Sequence, residues 1–149
     1  MTIAEQINAD MKQAMLAKEK DKLAAIRSIK SELLKEATKG GGDGSVSDEA
    51  ALKIIQKLHK QRTESAQLYR EQNRDDLAQE EELQAEVLES YLPEQMNEEE
   101  VKAVLEKVKA DTGASSMADM GAFMGAAMKE LQGKADGKLI SKVARELLA

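Results

Sequence analysis

The sequence predicts an all-α protein, an N-terminal four-helix domain followed by a C-terminal three-helix bundle, and three observations carry that expectation. Apolar residues recur at helical spacing along nearly the whole chain, while no apolar/polar alternation persists long enough for a strand. Of the 149 residues 42% are hydrophobic, yet there is one Phe, two Tyr and no Trp. The core must therefore be built from Leu, Ile, Val, Met and Ala, which suits helix on helix. Cap residues also stand where one apolar stripe ends and the next begins.

Thr2 with Glu5 forms a capping box ahead of Ile3, Ile7, Met11 and Met15, a stripe that stops near Lys18 to Lys20. Asp21 is the expected cap of a second helix with Leu23, Ile26, Ile29, Leu33 and Ala37 on its apolar face. Gly40, Gly41, Gly42, Asp43 and Gly44 then read as a flexible link, because the run lacks the Gly-Lys-Ser/Thr ending of a phosphate loop. Ser47 opens a long third helix with Ala51, Ile55, Leu58, Ala66 and Tyr69 on one face, and a break is expected at Asn73 to Asp76. The fourth helix carries Leu77, Gln84, Leu88 and Tyr91 and ends before Pro93, the only proline, which disfavours helical geometry at Leu92. A domain boundary is placed there, with residues 1–92 as the N-terminal domain, 93–96 as a linker and 97–149 as the C-terminal domain. Asn97 with Glu100, Ser116 with Asp119, and Asp136 are the expected starts of the fifth, sixth and seventh helices.

The net charge is −6, but it is segregated. Residues 18–39 hold seven basic and four acidic side chains, residues 53–74 six and two, residues 75–106 one and twelve, and residues 129–149 five and three. Two readings are open: local basic patches that bind phosphate, or acidic and basic helices that neutralise each other in a bundle. The sharpest basic feature is in the last helix. Lys138, Lys142 and Arg145 follow at i, i+4 and i+7 and share a face opposite Leu139, Val143 and Leu147. Beside them, Gly133 suits the left-handed residue after a helix, and Gly137 opens the next helix, where free N–H groups favour anions. Lys134 and Lys129 extend the patch. An ordinary solvated helix face gives the same pattern.

Other residues stand out against their surroundings. Lys30 and Arg62 fall inside apolar sectors, so each must snorkel, find a carboxylate or face a ligand, with Glu81 the expected partner. Gly121 and Gly125 lie inside the sixth helix, where each costs ~1 kcal/mol relative to alanine. Close packing of a neighbouring helix, or close approach of an RNA backbone, would account for them. Met117, Met120, Met124 and Met128 form a stripe that reads as core filler or as an adaptable partner groove. There is no Cys and only one His, His59, which removes Cys-based metal sites and Cys–His catalysis. No catalytic residue, metal or cofactor is expected. The start of the chain lacks a basic segment followed by an apolar run, and no stretch is apolar enough to span a membrane, so a cytoplasmic protein is expected.

The segment Gly113-Ala114-Ser115-Ser116-Met117-Ala118-Asp119-Met120-Gly121, then Met124-Gly125 and Gly133 to Gly137, resembles the signature of the YqeY family. It is also similar to the C-terminal tail of the B subunit of the glutamine-dependent tRNA amidotransferase. The match extends through Tyr91-Leu92-Pro93-Glu94-Gln95 and more loosely through Lys20-Asp21-Lys22-Leu23 and Lys60-Gln61-Arg62. The resemblance implies tRNA, or a tRNA-handling complex, as partner, with Lys129, Gly133, Lys134, Gly137, Lys138, Lys142 and Arg145 as candidate RNA-binding residues. In the amidotransferase the chemistry belongs to a separate, larger domain, so a carbon–nitrogen ligase activity with glutamine as amido donor would be a label inherited by domain similarity. The alternative reading, ahead of the ligase label, is a protein-interaction module that uses the acidic face of residues 75–106 or the methionine stripe.

Overall fold

The computed structural model describes residues 1–39 and 44–149, and among these it contains seven α-helices and no strand. They are α1 (Ile3–Ala17), α2 (Lys20–Ala37), α3 (Asp48–Glu71), α4 (Asp75–Glu89), α5 (Glu98–Thr112), α6 (Met120–Leu131) and α7 (Gly137–Leu148), with a short 3₁₀ turn at Met117–Asp119 leading into α6. The chain divides into two compact units, Met1–Leu92 and Pro93–Ala149. The expected glycine-rich link falls mostly on residues 40–43, outside the described residues.

Most helix starts follow their caps. Thr2 and Glu5 exchange both bonds of a capping box. The Ser47 hydroxyl accepts from the Ala50 N–H at 3.1 Å, and the Asn97 side chain accepts from the Glu100 N–H at 2.9 Å. Asp21 does not cap α2. That helix begins at Lys20 after Glu19, whose side chain makes no capping bond, so Asp21 instead adds an acidic group to the first turn.

In the first unit, Ile7 of α1, Ile26 and Ile29 of α2, Ala51 and Ile55 of α3 and Leu88 of α4 form a core with no solvent exposure. Each Ile or Leu buried in this way contributes roughly 1.5–3 kcal/mol. The face of α4 that turns inward is Ala78, Ala85 and Leu88, whereas Leu77 and Gln84, expected there, are only half-buried. The turn between α3 and α4 places Asn73 in the left-handed region at φ 58°. It is clamped by Arg70, whose guanidinium donates to both Glu82 oxygens at 2.7 Å and to Asp75 at 3.2 Å. Tyr91, just past α4, donates its hydroxyl to Asp10 of α1 at 2.5 Å. Partial burial and that bond push the Tyr91 phenol well above its ordinary range.

In the second unit, Val101, Leu105 and Val108 of α5 pack with Phe123, Ala127 and Leu131 of α6 and with Ile140, Val143, Ala144 and Leu148 of α7. The methionine stripe is split: Met120 and Met124 pack against this core, while Met117 and Met128 are exposed. Phe123 is fully buried. Segment 93–96, expected as a linker, makes its hydrogen bonds within this unit. Gln95 donates its side-chain amide to the carbonyls of Pro93, at 2.9 Å, and Gly133, at 2.7 Å, and the Met96 N–H donates to the Lys134 carbonyl at 2.8 Å.

Candidate nucleic-acid interface

The turn between α6 and α7 is built by its sequence. Gly133 takes the left-handed conformation, φ 73°, that a side chain would strain, and the Lys134 N–H donates back to the Leu131 carbonyl at 2.9 Å. Asp136 then caps α7 by accepting from the Lys138 N–H at 3.3 Å. The caps leave the first turn of α7 open to solvent at Gly137, where an added Cβ would meet no atom within 4 Å.

Along α7, Lys138, Lys142 and Arg145 are exposed as their spacing predicts, opposite a core face made of Ile140, Val143, Ala144 and Leu148. Leu139 and Leu147 lie at its margins. The three basic residues surround an open concavity of about 500 Å³ whose lining also includes Gly137, Ser141 and Glu146. Ser141 was not singled out by sequence, although it stands three residues after Lys138 on the same face; it adds a hydroxyl to the surface. Lys142 also reaches Glu98 at the start of α5, at 3.2 Å, and both side chains are more than half exposed. An ion pair of that kind is worth at most about 1 kcal/mol, so a phosphate can displace the carboxylate at small cost.

The other candidate residues lie outside the concavity. Lys129 is exposed in the last turn of α6, and Lys134 is half-buried in the interhelical turn with its carbonyl engaged by Met96. Gly133 is buried and shapes the turn.

Much of the segment that carries the family resemblance is architectural. Gly113 ends α5 in the left-handed region at φ 71°. The N–H groups of Ser115 and Ser116 donate to one Asp119 oxygen at 2.9 and 3.3 Å, and these bonds hold the Asp119 carboxyl below its ordinary range. A model of the family described as Yqey-like protein matches residues 4–148. The chain belongs to the YqeY family. Curated relatives agree across three fungi, each protein named "Altered inheritance of mitochondria protein 41, mitochondrial". The one from Meyerozyma guilliermondii is 43% identical over 88 residues, 58% of this chain and 44% of the relative, so the match spans less than half of that protein. The one from Pyrenophora tritici-repentis is 31% identical over 96% of this chain and 79% of the relative. The one from Clavispora lusitaniae is 30% identical over 84% and 71% respectively. All three names place those proteins in mitochondria, which overturns the expectation of a cytoplasmic location; that expectation rested on the residues at the start of the chain and on the lack of an apolar span.

Two features weighed in the sequence take definite places within this YqeY chain. Gly121 and Gly125 are exposed on α6, and an added Cβ at either would meet nothing within 4 Å, so a packed neighbouring helix does not account for them. Arg62 and Glu81 do meet, with Nη1 and Oε2 3.6 Å apart and side chains only 29% and 21% exposed. Lys30 is half-buried and makes no ion pair among the described residues. His59 lies 3.8 Å from Glu89, and among the described residues no group of three His, Cys, Asp or Glu side chains is arranged to hold a metal. No helix among them is long and apolar enough to cross a membrane.

Proposed function

We propose that the C-terminal unit binds tRNA, alone or within a tRNA-handling complex, through the exposed face of α7, and that this binding rather than catalysis is its role. The observation that carries the reading is the concavity ringed by Lys138, Lys142 and Arg145. Its cations run along α7 from an open helix start at Gly137, where no side chain blocks a backbone from approaching. The similarity of Gly113 to Gly137 to the tail of the tRNA amidotransferase B subunit supports the same partner. Recognition is of shape and phosphate rather than base sequence, because Phe123, the one aromatic of the unit, is buried and cannot stack on a base.

The test is a titration of labelled tRNA at several salt concentrations, comparing the wild type with Lys138→Gln/Lys142→Gln/Arg145→Gln. Each lost phosphate contact lowers the slope of log affinity against log salt by about 0.7–0.9, so the triple variant loses about two to three units, for every tRNA species alike. The fold survives, since all three side chains are exposed. A control change of Lys53, Lys57 and Lys60 to Gln reports on the N-terminal unit. Unchanged binding by the α7 variant together with loss in the control places the RNA site on the N-terminal unit and refutes the assignment.

A further inference from the structure

In the N-terminal unit, α3 and α4 form a hairpin, and one side of it is an open groove of about 770 Å³. On α3 the groove runs from His59 to Arg70, about 16 Å or three helical turns. Its floor is small, with Ala66 and Ala85 facing each other, and its rims are Glu71 on α3 and Glu82, Glu86 and Glu89 on α4. Four carboxylates line the channel with one guanidinium: Arg70 pairs with Glu82 and also reaches Asp75, and His59 lies 3.8 Å from Glu89, so the acidic excess is carried by Glu71, Glu86 and Glu89. Ala66 and Ala85 are themselves 4% and 8% exposed, so the base of the groove is the packed seam between the two helices, while Ala51, Ile55 and Leu88 lie in the core of the unit.

We propose that this groove seats an amphipathic helix of a partner protein that carries lysine or arginine on both flanks of a narrow apolar stripe. Shape and charge each restrict the occupant. Two helices packed side by side leave a furrow whose natural filling is a third helix, and alanines at its base let that helix approach closely. The carboxylates at Glu86 and Glu89 stand at i and i+3 on one face of α4, beyond the Arg70-paired Glu82, so they present negative charge along a helical partner and disfavour nucleic acid. The floor offers little apolar area, so attraction is largely electrostatic and weakens with salt. This surface lies on the unit that does not carry the α7 stripe, and its success or failure is independent of RNA binding.

The probe is a synthetic helical peptide with an alanine and leucine stripe flanked by lysines, titrated into the full chain, with a second peptide carrying glutamates in place of those lysines. The lysine peptide is expected to shift the methyl resonances of Ala66 and Ala85. Glu86→Gln/Glu89→Gln, two exposed positions, weakens it by roughly fivefold to tenfold. Thr63→Trp, which fills the groove from an exposed position in its lining, blocks the peptide without removing a charge. Glu98→Gln/Glu99→Gln/Glu100→Gln removes acidic charge elsewhere and leaves the affinity unchanged. Equal weakening by that control, unchanged binding in the groove variants, or equal binding of the glutamate peptide would overturn the proposal.

Discussion

Replacing Arg62 and Glu81 by methionine, singly and together, tests whether a charge placed inside an apolar stripe stabilises this fold or only survives in it. At 3.6 Å and an effective dielectric of about 20, the gross attraction is about 4–5 kcal/mol. Desolvation takes back most of that, because the two side chains are 29% and 21% exposed. The contact also falls outside hydrogen-bond range, and Arg62 Nε and Glu81 Oε2 are buried with no hydrogen-bond partner among the described residues. The net coupling expected from the double-mutant cycle is therefore about 1–2 kcal/mol, well below that of a fully buried, fully bonded pair. Each single variant strands the other charge, which keeps partial access to water, and loses about 0.5–1 kcal/mol. The double variant recovers to the wild-type stability or above, since it removes both orphaned atoms. Urea melts followed by tyrosine fluorescence report on the right unit, because Tyr69 and Tyr91 both lie within Met1–Leu92. Single effects that simply add, with a coupling below about 0.3 kcal/mol, would show that the pair does not interact and that Arg62 snorkels to water.

Three further outcomes are expected. A fragment of residues 93–149 is helical on its own and melts higher than one of 97–149, by circular dichroism, because the shorter one lacks the Gln95 and Met96 bonds to the α6–α7 turn; equal melting would show that those bonds contribute nothing. Gly125→Ala stabilises the second unit by about 0.5–1 kcal/mol, since helix propensity favours alanine and the added methyl meets open space; destabilisation would mean that a neighbour occupies that face. Because folding raises the Tyr91 phenol above its ordinary value of 10.0, its contribution is complete below that pH and is lost as the pH climbs above it; Tyr91→Phe should flatten the alkaline fall in stability, and an unchanged slope would refute the linkage.

What the sequence made legible was local. Ser47, Asn97 and Asp136 announced helix starts because a cap bonds to N–H groups two or three residues away, and Gly133 announced its turn because only its own φ was at stake. The Arg62–Glu81 pair could be named in advance because a charge within an apolar face needs a partner. Features that depend on how a helix is rotated, or on residues far away in the chain, were not legible. Periodicity could not decide that α4 turns Ala78 and Ala85 inward rather than Leu77 and Gln84, nor that the face of α6 bearing Gly121 and Gly125 is open. At the candidate interface, the exposure of Lys138, Lys142 and Arg145 followed from their spacing. The carboxylate that engages Lys142 lies 44 residues earlier, at Glu98, and nothing in either segment points to the other.

The bond from Gln95 to Gly133 also orders events in time. On a nascent chain the amide is made 38 residues before the carbonyl that it will bind, an interval of about 2–8 s at ordinary rates of synthesis. By then every residue of the unit that ends at Leu92 has been joined, so α1 to α4 can close over Ile26, Ile55 and Leu88 while the second unit still lacks the turn that aims α7. The basic stripe of α7 therefore takes shape after the first unit can fold, and a nascent chain halted before Lys134 presents the acidic groove without the α7 stripe.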